Sequence, residues 1–237
     1  LFLVPLGTKE ASAAGTVLYI GTQGVALPTT NNTCTYFDGS VHTDVDMTGL
    51  DLTTSQWYLT YVGGAYTLTL NGINITTPYI HGTGTSYGIC YWDITNPLTV
   101  NLIGTNTING ASWAKAGNSS GFYSNKSVTF TGTGTLNVTA GKADYSSIGI
   151  ESYYGIIYDS GIVNANGNTS TNLYSYGTYV SGGNITVNSA VVTSVGSPGV
   201  RSYGMNAYNV AINGGNVTAQ AGDGTESYGI YVSNSYK

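Results

Sequence analysis

Any chemistry in this chain has to come from few groups. Its 237 residues include eleven Asp or Glu, six Lys or Arg, two His and two Cys, for a net charge of −5. In the second part of the chain the acids are Asp93, Asp144, Glu151, Asp159, Asp223 and Glu226. A glycosidase needs two carboxylates at a set separation, and a polysaccharide lyase needs a base beside carboxylates that bind Ca²⁺. No two of these acids are adjacent, and no basic residue flanks an acidic pair on one strand face. Glu151 falls at an outward position, where a lone carboxylate is expected to be solvated. Asp44, Asp46 and Asp51 form a carboxylate cluster whose spacing fits no EF-hand and lacks the turn glycine, so an exposed turn is preferred to a Ca²⁺ loop. His42 and His81 lie far apart in loops and read as surface residues. No enzymatic activity, metal or cofactor is expected.

Cys34 and Cys90 are too few for a zinc site. They are expected to form a disulfide in an oxidising, extracellular setting, strapping the N-terminal layer onto the body of the fold. The six basic residues are scattered, which excludes a phosphate-binding patch and hence nucleic acid. No apolar run approaches the ~18 residues that suggest a membrane-spanning helix. Eight Asn-x-Ser/Thr sequons, at Asn31, Asn74, Asn118, Asn125, Asn137, Asn168, Asn184 and Asn216, permit surface glycans without demonstrating them.

The remaining chemistry is aromatic. There are 21 tyrosines, and only 7% of residues are charged. Several tyrosines sit in a recurring Ser-Tyr-Gly, at 86–88, 175–177, 202–204 and 227–229, with weaker copies around Gly121 and Gly149. The six glycines, 88, 121, 149, 177, 204 and 229, are separated by 33, 28, 28, 27 and 25 residues. A nearly constant step of this size indicates stacked repeats. Two further short alternating runs follow each copy, such as Val128-Thr129-Phe130 and Leu136-Asn137-Val138. Three short strands per repeat describe one coil of an all-β parallel β-helix, and the density of Gly, Asn and Thr argues against helices.

The register gives two columns. Ile89, Phe122, Ile150, Thr178, Met205 and Ile230 follow the glycine and should face the core. Cys90, Tyr123, Glu151, Tyr179, Asn206 and Tyr231 come next and should face outward, because side chains alternate along a strand. Residues 1–15 read as an apolar extension. Residues 16–237 read as one solenoid domain with an irregular layer over 16–65.

The stretches Trp57-Tyr58, Tyr66 to Ile75, Leu98 to Ile108 and Gly121 to Gly141 resemble β-solenoid repeats of secreted and surface proteins of Gram-positive bacteria. The likeness covers about residues 55–237. It implies a β-helix, an extracellular location and, in some members, carbohydrate binding. No catalytic motif carries over.

Two functions are expected. The leading one is a structural subunit of an extracellular filament, assembled head to tail from copies of itself. Leu1, Phe2, Leu3, Val4 and Leu6 of one copy would dock on the open coil of the next, near Ile230 and Val232. The alternative is a secreted module that binds polysaccharide through Tyr123, Tyr179 and Tyr231, whose rings can stack on sugars.

Overall fold

A computed structural model describes residues 17–82, 84–92, 95–112 and 117–233. Leu1, Phe2, Leu3, Val4 and Leu6 lie outside the described residues. The described residues form strands and no helix, arranged as a parallel β-solenoid of six coils. Each coil runs through three sheets in the same order. Sheet B holds Ala65–Asn71, Leu98–Ile103, Val128–Gly132, Gly155–Tyr158, Asn184–Val187 and Asn209–Ile212. Sheet C holds Asn74–Ile75, Thr105–Asn109, Thr135–Thr139, Ile162–Asn166, Val191–Val195 and Asn216–Gln220. Sheet A holds Thr85–Trp92, Asn118–Ser124, Ser146–Ser152, Tyr174–Val180, Arg201–Ala207 and Glu226–Val232.

Alternation on each strand builds columns of like side chains. Sheet B turns Leu68, Val100, Phe130, Tyr158 and Val187 inward in register. Sheet C contributes Ile75, Ile108, Val138 and Ala165. Sheet A contributes Ile89, Phe122, Ile150, Thr178 and Met205, all fully buried, as the repeat step predicted. Thr178 is the polar exception, and it is satisfied. Its hydroxyl lies 2.9 Å from the Tyr158 hydroxyl and 2.8 Å from that of Ser194, which also lies 2.8 Å from the Gly204 carbonyl. Stacked asparagines bond to their own kind between coils, as Asn164 does to Asn137 (2.8 Å) and Asn213 to Asn188 (3.0 Å).

The first coil is covered by antiparallel strands. Val17–Ile20 and Tyr79–His81 pair with the two halves of Thr85–Trp92. Thr33–Phe37, Val41–Asp46 and Trp57–Val62 extend sheet B beyond Ala65–Asn71. Asp46 and Asp51 each cap their own turn, through Thr48 and Thr53, and Asp44 accepts a bond from the Thr33 hydroxyl (2.8 Å). The sixth coil has described neighbours on one side only, and its Ile212, Ile230 and Val232 are 50%, 41% and 45% exposed.

The expected disulfide is absent: Cys34 and Cys90 are both buried free thiols. Cys34 sits on a sheet B strand beside Thr60, whereas Cys90 sits on sheet A, paired with Tyr19 of the covering strand. The strand Val17–Ile20 fastens the N-terminal layer to sheet A by backbone pairing instead.

Candidate functional site: an interrupted tyrosine ladder

The Ser-Tyr-Gly repeat distributes its three residues between inside and outside. The serine points in and bonds the turn that leads into the sheet A strand of the following coil. Ser119 accepts from the Gly141 amide (2.8 Å), Ser147 from the Asn168 amide (2.7 Å), Ser175 from the Ser197 amide (2.8 Å) and Ser202 from the Gly222 amide (2.8 Å). The glycine is passed over in the pairing, so that Tyr87 pairs with Ser120 and Ile89 with Phe122. It faces inward where sheets A and C meet. A Cβ on Gly149 would stand 2.5 Å from the Gly177 carbonyl and 2.7 Å from the Asn166 amide. Two consecutive residues therefore face the core, and the tyrosine before them is turned outward.

That outward column runs Tyr87, Ser120, Ile148, Tyr176, Tyr203 and Tyr228. From Tyr176 onward it is a ladder of stacked rings. The Tyr176 and Tyr203 centroids are 5.2 Å apart at 13°, and those of Tyr203 and Tyr228 are 6.0 Å apart at 9°. Tyr174 and Tyr179 flank Tyr176 at 5.5 and 4.6 Å. At the other end Tyr87 and Tyr123 meet at 5.1 Å, and Trp92 leans on Tyr123 at 5.7 Å. Between these groups the ladder has no tyrosine, because its two rungs are Ser120 and Ile148. The gap opens a cleft of about 220 Å³, lined by Tyr87, Ile148, Glu151, Tyr174, Tyr176 and Tyr179, with Thr85, Asn118 and Ser146 along one edge.

Glu151 gives the cleft its charge. Its carboxylate accepts one hydrogen bond, from the Ser120 hydroxyl at 2.6 Å. It keeps the outward position expected of it, but it is half-buried there rather than freely solvated. It lies between the tyrosines of neighbouring coils, and this desolvation pushes its carboxyl above the usual carboxylate range, opposed in part by Ser120. The same burial, together with the charge of Glu151, pushes Tyr123 up to about 12 and raises Tyr87 and Tyr179. Cys90 is likewise pushed up to about 12. At neutral pH the phenols and the thiol are therefore protonated donors around one carboxylate. Farther along the face, Arg201 pairs with Glu226 at 3.1 Å and lies over the Tyr174 ring at 5.7 Å.

Tyr123, Tyr179 and Tyr231 do share the outward column expected of them, but they are not a continuous row. Glu151 lies between Tyr123 and Tyr179, and Asn206 lies between Tyr179 and Tyr231. Tyr179 lines the cleft, Tyr123 packs instead against Tyr87 and Trp92, and Tyr231 packs against Tyr203 and Tyr228 two coils on from Tyr179. Sequence reasoning missed Tyr87, Ser120, Ile148 and Tyr176. The signal was present: the residue before each marker glycine changes from Tyr to Ser to Ile and back to Tyr. Ile230 and Val232 sit in the sixth coil, where Ile230 is exposed although its column faces the core in the other five. Among the described residues no group of three potential metal ligands occurs, and no helix is long and apolar enough to cross a membrane. No protein-family model, curated protein or solved structure matches the chain.

Proposed function

We propose that this chain is a secreted or surface-displayed module that holds polysaccharide against the outer face of sheet A. The observation that carries the reading is the break in the tyrosine ladder, a cleft with aromatic walls and hydroxyl-bearing edges. Sugar rings present apolar C–H faces and polar rims, and such a cleft complements both. A lone carboxylate without a second acid among the lining residues suits binding better than glycoside hydrolysis. The sequence likeness to solenoids of Gram-positive surface proteins favours an extracellular location, with which the sequons are compatible. The free thiols remove the disulfide from that argument.

The test is retention on immobilised polysaccharides. Tyr179→Ala removes a wall of the cleft and should reduce retention about tenfold or more, the loss typical of one stacking aromatic. Tyr231→Ala, two coils away, should have a small effect. Equal retention of wild type and Tyr179→Ala would remove the cleft from consideration.

End-to-end assembly is the second reading, and the apolar exposure of Ile212, Ile230 and Val232 favours it. Direct coil-on-coil stacking of two copies meets an obstacle, because antiparallel strands cover the first coil. The occupant of the sixth coil would then be the apolar segment Leu1 to Leu6 of a second copy, added as a strand.

A further inference from the structure

The cleft holds a ring-sized gap and an underemployed carboxylate, and the two lie together. Tyr87 and Tyr176 are three coil steps apart, about 14 Å at the ~4.8 Å spacing of paired strands. Only Ser120 and Ile148 occupy the intervening rungs. In the rest of the ladder ring stacks on ring, whereas Tyr176 meets the aliphatic Ile148 on this side, and both line the cleft. A flat ligand ring seated there would continue the ladder.

Glu151 borders the same cleft. Ser120 donates to Oε2, and no described side chain or backbone group donates to Oε1. The groups that face it are Ser120 and Tyr123 from one neighbouring coil, Tyr176 and Tyr179 from the other, and Tyr87 and Cys90 from the first. None of them carries a positive charge. A half-buried carboxylate flanked by tyrosines and lacking a cation is disfavoured, and a cation supplied by the ligand relieves that cost while also meeting the aromatic walls.

We propose that the cleft recognises a protonated amine on a sugar ring, the ring standing as the missing rung of the ladder and the ammonium resting on Glu151. The inference rests on the polysaccharide reading and narrows it to glycans with free amino groups. A lysine side chain could reach the carboxylate, but its slender stem would not fill the gap beside Ile148 and Tyr176. A sugar ring does both, with Thr85, Asn118 and Ser146 placed to meet its hydroxyls.

The experiment is calorimetric titration of the full chain at near-neutral pH with short oligomers of glucosamine, N-acetylglucosamine and glucose, and with oligolysine. The glucosamine oligomer should bind about tenfold or more tightly than the other two sugars. Glu151→Gln should bring it down to their level. Ile148→Tyr, which supplies the missing rung from the protein itself, should abolish binding of every sugar while circular dichroism shows the fold intact. Equal affinity for the amino and the neutral oligomers would overturn amine recognition and leave the polysaccharide reading standing. No binding of any sugar would overturn both. Oligolysine bound as tightly as the glucosamine oligomer would overturn the sugar as the ligand.

Discussion

At the scale of single residues, Glu151 sets the terms. Its carboxyl is more basic in the folded protein than in the unfolded chain, because burial disfavours the charge and only Ser120 opposes that effect. The folded state therefore binds more protons than the unfolded state as pH rises through the ordinary glutamate range. Stability must fall over that interval, from the unfolded pKa upward to the folded one. Below it the group is protonated in both states and costs nothing. Glu151→Gln keeps the hydrogen bond to Ser120 and removes the charge. At neutral pH it should raise Tm by about 2–4 °C, the shift for roughly 1 kcal/mol in a chain of this length. The gain should vanish under acid conditions where wild-type Glu151 is protonated. Thermal melts of both proteins across that pH range check this, and a gain independent of pH would mean that Glu151 is well solvated. A carboxylate that destabilises its own fold while bordering a cleft is the feature on which the proposed binding role rests.

At the scale of strands and turns, much of the fold was legible because the repeat is written in residues that only one geometry satisfies. The glycine step gave the coil, and alternation from the glycine gave the columns headed by Ile89 and Cys90, whose register is the one observed. The two residues before each glycine were harder to read. Simple alternation cannot anticipate that both the glycine and its successor face inward, so neither the inward serines nor the outward tyrosine ladder followed from it. The half-burial of Glu151 was not legible for a related reason, since how far an outward residue is solvated depends on neighbours one coil away. The disulfide failed because two cysteines in an outline of the chain carry no information on which sheet each will join. The glycine itself offers a direct check. Gly149→Ala would press a methyl group against the Gly177 carbonyl and the Asn166 amide, both of them backbone held by the sheets. It should cost about 1–3 kcal/mol in denaturant unfolding, as overpacking of a rigid site does. Gly24→Ala, whose Cβ would meet Tyr19 at 3.4 Å, should be close to neutral. Similar losses in the two variants would mean that sheets A and C are not in close contact at the marker.

At the scale of the whole molecule, the two ends of the rod differ physically. One end is covered by a layer of antiparallel strands, and the other presents the strands Asn209–Ile212, Asn216–Gln220 and Glu226–Val232, each with a described partner on one side only. A parallel edge with exposed Ile212, Ile230 and Val232 is a template for added strands unless something covers it. If the segment Leu1 to Leu6 of another copy is that cover, association should depend on both partners in the contact. Sedimentation velocity over a range of concentrations would then show assemblies larger than the monomer for wild type. The double substitution Ile230→Lys and Val232→Lys should shift the distribution to monomer by placing two charges on the receiving coil, as edge lysines do elsewhere. Deletion of residues 1–14 should do the same by removing the donated strand. Dissociation by the lysines but not by the deletion would mean that the sixth coil meets a different surface of its neighbour. Dissociation by neither would exclude this end as an assembly surface and leave the flank of sheet A as the working face of the rod.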